Sequence, residues 1–363
     1  MDREWYQNLT QTSLAGELQP LTAYRSLLTG DHVRLLPLLD AAFQVREHYH
    51  GREVTIHIIN NARNGLCSED CSYCAQARTS NAAIAKYKTK SDAEILREAE
   101  LAHAAGAHRY CLVYAGRGMN RERINHLGTL IRSIKKKYPL EVCVSAGILD
   151  HEAASLLKQA GLDRLNHNLN TAPARYNLIC TTHSFGDRIN TLHAARKAGL
   201  EVCSGIIAGM GESTDELIEL ALTLRKLDAR SIPINFLLAI PGAMLTQSGN
   251  LTPQYCLRIL CLFRFINPAA EIRIAAGREE HLRSMAVMGL YPANSLFMDG
   301  YLNAKGTSRR QTLEMIRDAG FTIKSDLSIE EILLRQQAEE SADVTGTEKT
   351  RLKTAAELRP GLT

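Results

Sequence analysis

The sequence predicts an α/β protein built on a parallel (β/α)8 barrel of the TIM type, with a helical extension at its N-terminus. Short β-rich runs alternate with amphipathic stretches eight times, at intervals of roughly 30–40 residues, which is the pattern of repeated strand–helix units. Several helical stretches end on a glycine, at Gly106, Gly161 and Gly199, which suits a left-handed cap before the next strand. The 363 residues, 45% apolar and 23% charged, are enough to bury one large core. An open doubly wound sheet is the competing arrangement, because alternation by itself does not establish closure.

In chain order, residues 1–50 are helix-like, with Leu27, Leu28, Leu35, Leu36 and Leu39 spaced for one buried face. Strands are then expected at 54–60, 109–115, 140–148, 164–170, 201–210, 231–240, 271–277 and 294–300. Helices are expected between them, at 92–105, 151–160, 185–198, 214–227 and 253–265. The barrel would occupy residues 51–325. From Asp326 the chain is charged, with Glu330, Glu331, Glu339 and Glu340 among basic residues. This last part, 326–363, reads as a surface helix followed by a loose end.

Composition narrows the function. The net charge of +4 is modest, and Lys135-Lys136-Lys137 closes an expected helix, so it reads as a solvated helix end rather than a nucleic-acid patch. No apolar run reaches membrane-spanning length, and the first residues lack the order of a signal peptide, so a cytoplasmic protein is expected. Nine cysteines in such a chain point to metal or redox chemistry rather than disulfides.

The chemistry centres on Gly65–Gln76, a polar loop following the first strand, where Cys67, Cys71 and Cys74 stand at Cys-x3-Cys-x2-Cys spacing. Three thiolates this close can hold three corners of a cubane [4Fe-4S] cluster and leave the fourth iron open for chemistry. A zinc ribbon would bring a second Cys-x2-Cys pair, and the sequence has none. The spacing resembles that of the radical S-adenosylmethionine (SAM) enzymes, and Tyr73 matches the aromatic residue before the third cysteine of that family. The resemblance implies that the open iron binds the amino and carboxylate groups of SAM, and that an electron from the cluster splits SAM to a 5′-deoxyadenosyl radical.

Three more cysteines fall in expected strands, Cys111, Cys143 and Cys203, and a fourth strand carries Arg273 among apolar residues. Alternate side chains of a barrel strand point inward, so three thiols and a guanidinium can share one inner layer. A buried arginine needs an anionic partner, and sulfur can be one. Here the chain resembles the biotin synthase family from about residue 20 to 325, with matching stretches at 166–171, 203–205, 231–236 and 276–279. That family binds an auxiliary [2Fe-2S] cluster through three strand cysteines and one arginine, which correspond to Cys111, Cys143, Cys203 and Arg273. Cys180, Cys256 and Cys261 lie outside the pattern and read as core or incidental residues.

The resemblance assigns further roles. Asn168 and Asn170 would bond the SAM ribose, Arg188 the SAM carboxylate, and Ile207 would pack on the adenine. Asn168 would also reach the ureido ring of dethiobiotin, together with Asn235. From the residues themselves, Asn166, Asn168 and Asn170 share strand parity, and Gly209-Met210-Gly211-Glu212 reads as a strand-to-helix turn. Three positions at two sites depart from the family. Tyr-Leu-Thr-Thr becomes Tyr301-Leu302-Asn303-Ala304, where Asn303 still donates toward a substrate carboxylate and Ala304 does not, and Tyr114 is bulky where small residues are usual. The implied activity is sulfur insertion into dethiobiotin, forming biotin, with flavodoxin or ferredoxin as electron donor and a homodimer as the assembly. The altered Asn303-Ala304 site leaves open sulfur insertion into a protein-bound octanoyl chain, and a non-catalytic iron–sulfur or redox-sensing protein is the reading from another class.

Overall fold

Eight positions of parallel strand close on themselves in the computed structural model, which describes residues 1–341. The strands are β1 (Glu53–Arg63), β2 (Arg109–Tyr114), β3 (Glu141–Ser145), β4 (Arg164–Asn166), β5 (Glu201–Cys203), β6 (Ile206–Ala208), β7 (Ser231–Phe236), β8 (Glu271–Ile274), β9 (Ser295–Phe297) and β10 (Thr322–Ile323). β5 and β6 are two halves of the fifth position, and pairing of β1 with β9 (Thr55↔Ser295, His57↔Phe297) completes the ring. β10 is an addition that the alternation did not reveal; it pairs only with the start of β1, at Glu53↔Thr322 and Val54↔Ile323.

The break in the fifth strand has a local cause. Pro233 in β7 has no N–H for the ladder, and Gly205 lies so close that a Cβ there would stand 1.9 Å from the Pro233 carbonyl oxygen. Most of the expected strands are too long at their C-terminal ends. β4 stops at Asn166 rather than at residue 170, because Asn170 takes a left-handed φ of 69°. β8 and β9 stop before Gly277 (φ 80°) and Asp299 (φ 67°). These early departures free backbone for the loops at the mouth of the barrel, the face where such folds build their sites.

The expected helices are found to within a residue. Three of the five start with Ser–acid capping boxes, Ser91 with Glu94, Ser184 with Asp187 and Ser213 with Glu216, and the other two with the N-caps Asp150 and Thr252. The cap glycines 106, 161 and 199 all have positive φ. Lys135, in the basic run, reaches Asp163 at 2.6 Å on the surface.

The N-terminal extension forms three helices, Arg3–Leu14, Leu21–Thr29 and Leu35–His50, laid against the helix Pro253–Ile266. Leu27, Leu28 and Leu39 are buried as expected, but Leu36 is 67% exposed and Leu38 takes the core position in its stead. The two-residue displacement follows from reading a Leu-rich stretch before knowing where its first turn begins. At the other end the helix Ile329–Ser341 is not purely a surface element, since Ile329, Ile332 and Leu333 are buried. The expected loose end falls outside the described residues.

Candidate active site

The cysteine loop is held in shape from both sides. Gly65 has φ 73°, and a Cβ there would meet the Lys86 side chain at 2.7 Å, so only glycine turns the chain out of β1. The Gly65 amide donates to Gln76 Oε1 at 3.0 Å, tying the two ends of the loop together. Ser72 N donates to the Ile179 carbonyl at 2.8 Å, and Asp70 accepts from the amides and hydroxyls of Thr181 and Thr182. Burial opposes ionisation of Asp70, yet the Thr181 hydrogen bonds hold its carboxyl well below the usual range. The loop is thereby braced against the segment that follows β4.

Cys67, Cys71 and Cys74 all face one cavity of about 280 Å³ at the mouth of the barrel. Burial raises Cys67 and lifts Cys74 to about 11, while a hydrogen bond with Cys180 and burial raise Cys71 further. Three soft donors on one loop, protonated until a metal displaces the proton, fit an iron cluster with one open corner.

Tyr73, Asn168, Asn170, Arg188, Ile207, Asn235 and Asn303 line the same cavity, so the structure gathers all of these sequence-named residues. Their hydrogen bonds differ from the strand-parity picture. Asn170 is beyond the strand and donates to the Tyr73 hydroxyl at 2.7 Å. Asn168 Oδ1 accepts from Gly205 N at 3.1 Å and from Asn166 Nδ2 at 3.2 Å. Asn235 bridges Ile206 O (2.8 Å) and Ala276 N (3.2 Å), stitching β6 to the end of β8. Asn303 forms a reciprocal amide pair with Asn64, at 2.7 and 3.1 Å. Arg188 is buried and donates to Tyr176 Oη, to Asn168 O at 2.9 Å and to His183 Nε2 at 2.8 Å. Two of its five N–H groups remain for a ligand. Tyr114 stands between this cavity and a second one lined by Asp92, Glu122 and His126. Gly209–Glu212 is a self-contained turn, with Glu212 accepting from Gly209 N (2.6 Å) and Met210 N (2.8 Å).

Deeper in the barrel, Cys111, Cys143, Cys203, Ala275 and Phe297 form a separate buried cluster. Cys111 and Cys143 are register partners across β2 and β3, and Cys203 pairs with Asn166 across β5 and β4. Arg273 Nη2 lies 3.6 Å from Cys203 Sγ and 2.9 Å from Glu271 Oε1, and its Nε has no protein partner. An orphaned buried guanidinium N–H beside three thiols fits an anionic sulfur cluster. A charged layer lies beneath. Glu271 accepts from Arg109 (2.8 Å), His57 (2.8 Å), Ser231 (2.9 Å) and Ser295 (3.2 Å).

Three groups escaped the sequence reading. Cys180 is a core residue, as the sequence allowed, but not an incidental one: its sulfur lies 3.8 Å from Cys71 Sγ and 3.3 Å from His183 Nδ1. His183 Nδ1 is also 2.6 Å from Glu69 Oε2, so a chain of contacts runs from the cysteine loop to Arg188. His57 is fully buried in β1 beside Cys111, and a histidine in the run Val54–Ile59, at inward parity, was the available signal.

A model of the Radical SAM superfamily matches residues 64–224, and one of the Biotin and Thiamin Synthesis associated domain matches residues 233–322. The chain is 57% identical over 316 residues to the biotin synthase of Magnetococcus marinus, covering 87% of this chain and 98% of that one. The chain belongs to the biotin synthase family. Other members of the biotin synthase family match as well, that of Acaryochloris marina at 52% identity over 87% of this chain and 91% of that one. The family consists of radical SAM enzymes that carry a [4Fe-4S] cluster and an auxiliary [2Fe-2S] cluster. The chain also shares its fold with a methylornithine synthase (TM-score 0.76, 20% identity, 93% of this chain and 100% of that one). The FeFe-hydrogenase maturase HydG from Carboxydothermus hydrogenoformans shares it too (TM-score 0.75, 19% identity, 91% and 81%). Among the described residues no helix is long and apolar enough to cross a membrane.

Proposed function

We propose that the chain inserts sulfur into dethiobiotin to form biotin, with Cys67, Cys71 and Cys74 holding the [4Fe-4S] cluster and Cys111, Cys143, Cys203 and Arg273 holding the [2Fe-2S] cluster. When bound, the two groups supply, respectively, the electron that cleaves SAM to a 5′-deoxyadenosyl radical and the sulfur that enters the substrate. The observation that carries this reading is the shared wall between the two donor sets. Val113, Ser145, Asn166, Asn168 and Tyr301 line both the cavity over the cysteine loop and the chamber over Cys111 and Cys143. A substrate in that space lies between SAM and the sulfur source.

The chain's own residues do the positioning. The free N–H groups of Arg188 pair the SAM carboxylate, Asn168 and Asn170 bond the ribose, Tyr73 supports Asn170, and Ile207 offers an apolar face to the adenine. Asn168 and Asn235 bond the ureido ring, and Asn303 donates to the substrate carboxylate in exchange for its bond to Asn64. The C–H bonds concerned are too weakly acidic for a general base, so the protein contributes alignment and exclusion of water. A flavodoxin or ferredoxin is the electron donor, the assembly is a homodimer and the compartment is the cytoplasm. The octanoyl reading draws nothing from the relatives, which bear the biotin synthase name.

Anaerobic reconstitution with iron and sulfide, followed by reductant, SAM and dethiobiotin, tests the proposal. Biotin is expected together with 5′-deoxyadenosine. Deoxyadenosine without biotin would overturn the substrate, and no SAM cleavage at full iron load would overturn the assignment of the cysteine loop.

A further inference from the structure

One histidine beside the thiols of the inner chamber is left over by the donor set above. His57 lies on β1 with no exposure to solvent, its Nδ1 3.8 Å from Cys111 Sγ and its Nε2 2.8 Å from Glu271 Oε1. Nε2 also lies 2.9 Å from Arg109 Nη1, which only donates, but that nitrogen is already directed at both Glu271 oxygens. With Arg109 so engaged, Nε2–H is given to the Glu271 carboxylate and the lone pair of the neutral ring sits on Nδ1, facing the thiol. Glu271 is itself fixed by Arg109, Arg273, Ser231 and Ser295, and the imidazole packs edge-on against Phe297 with centroids 5.7 Å apart. The ring therefore has little freedom to turn its nitrogen away. A carboxylate holding one imidazole nitrogen while the other faces a metal position is the usual way a protein orients a histidine ligand.

The spacing agrees. Two donors on one tetrahedral metal, a nitrogen at about 2.1 Å and a sulfur at about 2.3 Å, lie about 3.6 Å apart. The His57–Cys111 separation of 3.8 Å and the Arg273–Cys203 separation of 3.6 Å both match that figure.

We infer that His57 is an additional nitrogen donor of the inner chamber, able to ligate the iron held by Cys111. The chamber then offers five donors, Cys111, Cys143, Cys203, Arg273 and His57, for the four terminal positions of a [2Fe-2S] cluster. The surplus lets the chamber keep metal when one donor is withdrawn. This inference rests on the chamber being a metal site.

The test uses cobalt(II) as the probe and a chain carrying Cys67→Ala, Cys71→Ala, Cys74→Ala and Cys180→Ala, so that the inner chamber provides the thiolates. Under anaerobic titration, thiolate-to-cobalt absorption and intense tetrahedral d–d bands are expected, and adding His57→Gln should weaken cobalt binding at least about tenfold. A second measurement withdraws one donor: in the Arg273→Ala chain labelled with 15N-histidine, pulsed electron paramagnetic resonance of the reduced [2Fe-2S] cluster should show a strongly coupled histidine nitrogen. Cobalt bands that His57→Gln leaves unchanged, or a cluster without histidine coupling, would overturn the role of His57 alone. Absence of thiolate–cobalt bands in the parent would overturn the metal site and the inference with it.

Discussion

Arg188 is held at the cavity by groups within twenty residues of it, Tyr176, the Asn168 carbonyl and His183, and His183 is held in turn by the remote Glu69 of the cysteine loop. Lysine at this position keeps the charge but not the planar fork. Arg188→Lys is expected to weaken SAM binding about 10- to 100-fold, the range for losing charge-assisted hydrogen bonds, while iron content stays at the parental level. Equilibrium dialysis of the reconstituted protein against labelled SAM measures this. His50 offers a residue-level prediction about pH, remote from either cysteine set. Burial, aided by the Arg264 guanidinium, holds it at about 3, and its Nε2 is 3.1 Å from the Ala270 carbonyl oxygen. In the unfolded chain it titrates near ~6.5, so the unfolded state takes up the proton first. Its contribution is therefore intact above about 6.5 and declines as pH falls from there toward the folded value. The melting temperature of the apoprotein should drop between about pH 7 and 5 on this account, and His50→Gln should flatten that slope.

At the level of elements, close backbone contacts decide more than side-chain burial does. Gly205 faces the Pro233 carbonyl where the fifth strand is interrupted, and no flexible side chain is present there to give way. Gly205→Ala is expected to cost about 1–3 kcal/mol or more as β6 and β7 are forced apart, read from urea denaturation of the apoprotein. The helix Ile329–Ser341 makes a complementary case. Ile332 is 1% exposed, and its side chain occupies the space that a Cβ on Gly106 would enter, at 2.4 Å. Ile332→Ala should cost about 2–5 kcal/mol, whereas the exposed Leu334→Ala should change stability by under about 0.5 kcal/mol.

At the scale of the whole molecule, two donor sets lie at different depths of one barrel. Replacing Cys111, Cys143 and Cys203 together with alanine should lower iron from about six to about four per chain. SAM cleavage should persist in that variant while biotin formation is lost. Alanine at Cys67, Cys71 and Cys74 should abolish deoxyadenosine formation and leave about two irons. Iron analysis with chromatography of the products separates these outcomes, and a variant that loses all iron in both cases would show that the two sets are not independent.

The strand–helix alternation and the two cysteine sets were legible in the sequence because they rest on local information: period-two and helical patterning for the elements, fixed spacing for Cys67, Cys71 and Cys74, and strand position together with the family resemblance for Cys111, Cys143 and Cys203. Closure of the sheet, the short pairing of β10 with β1 and the early ends of the strands were not, since they depend on contacts between residues hundreds of positions apart or on single left-handed residues such as Asn170. The same holds for the partners of the site residues. Nothing in the order of residues places His57 against Glu271, Cys180 against Cys71, or Asn303 against Asn64, with separations of 214, 109 and 239 positions between their members. Which residues carry soft donors is written along the chain; which of them share a metal, a proton or a hydrogen bond is decided by tertiary packing, because those interactions act only over a few ångströms.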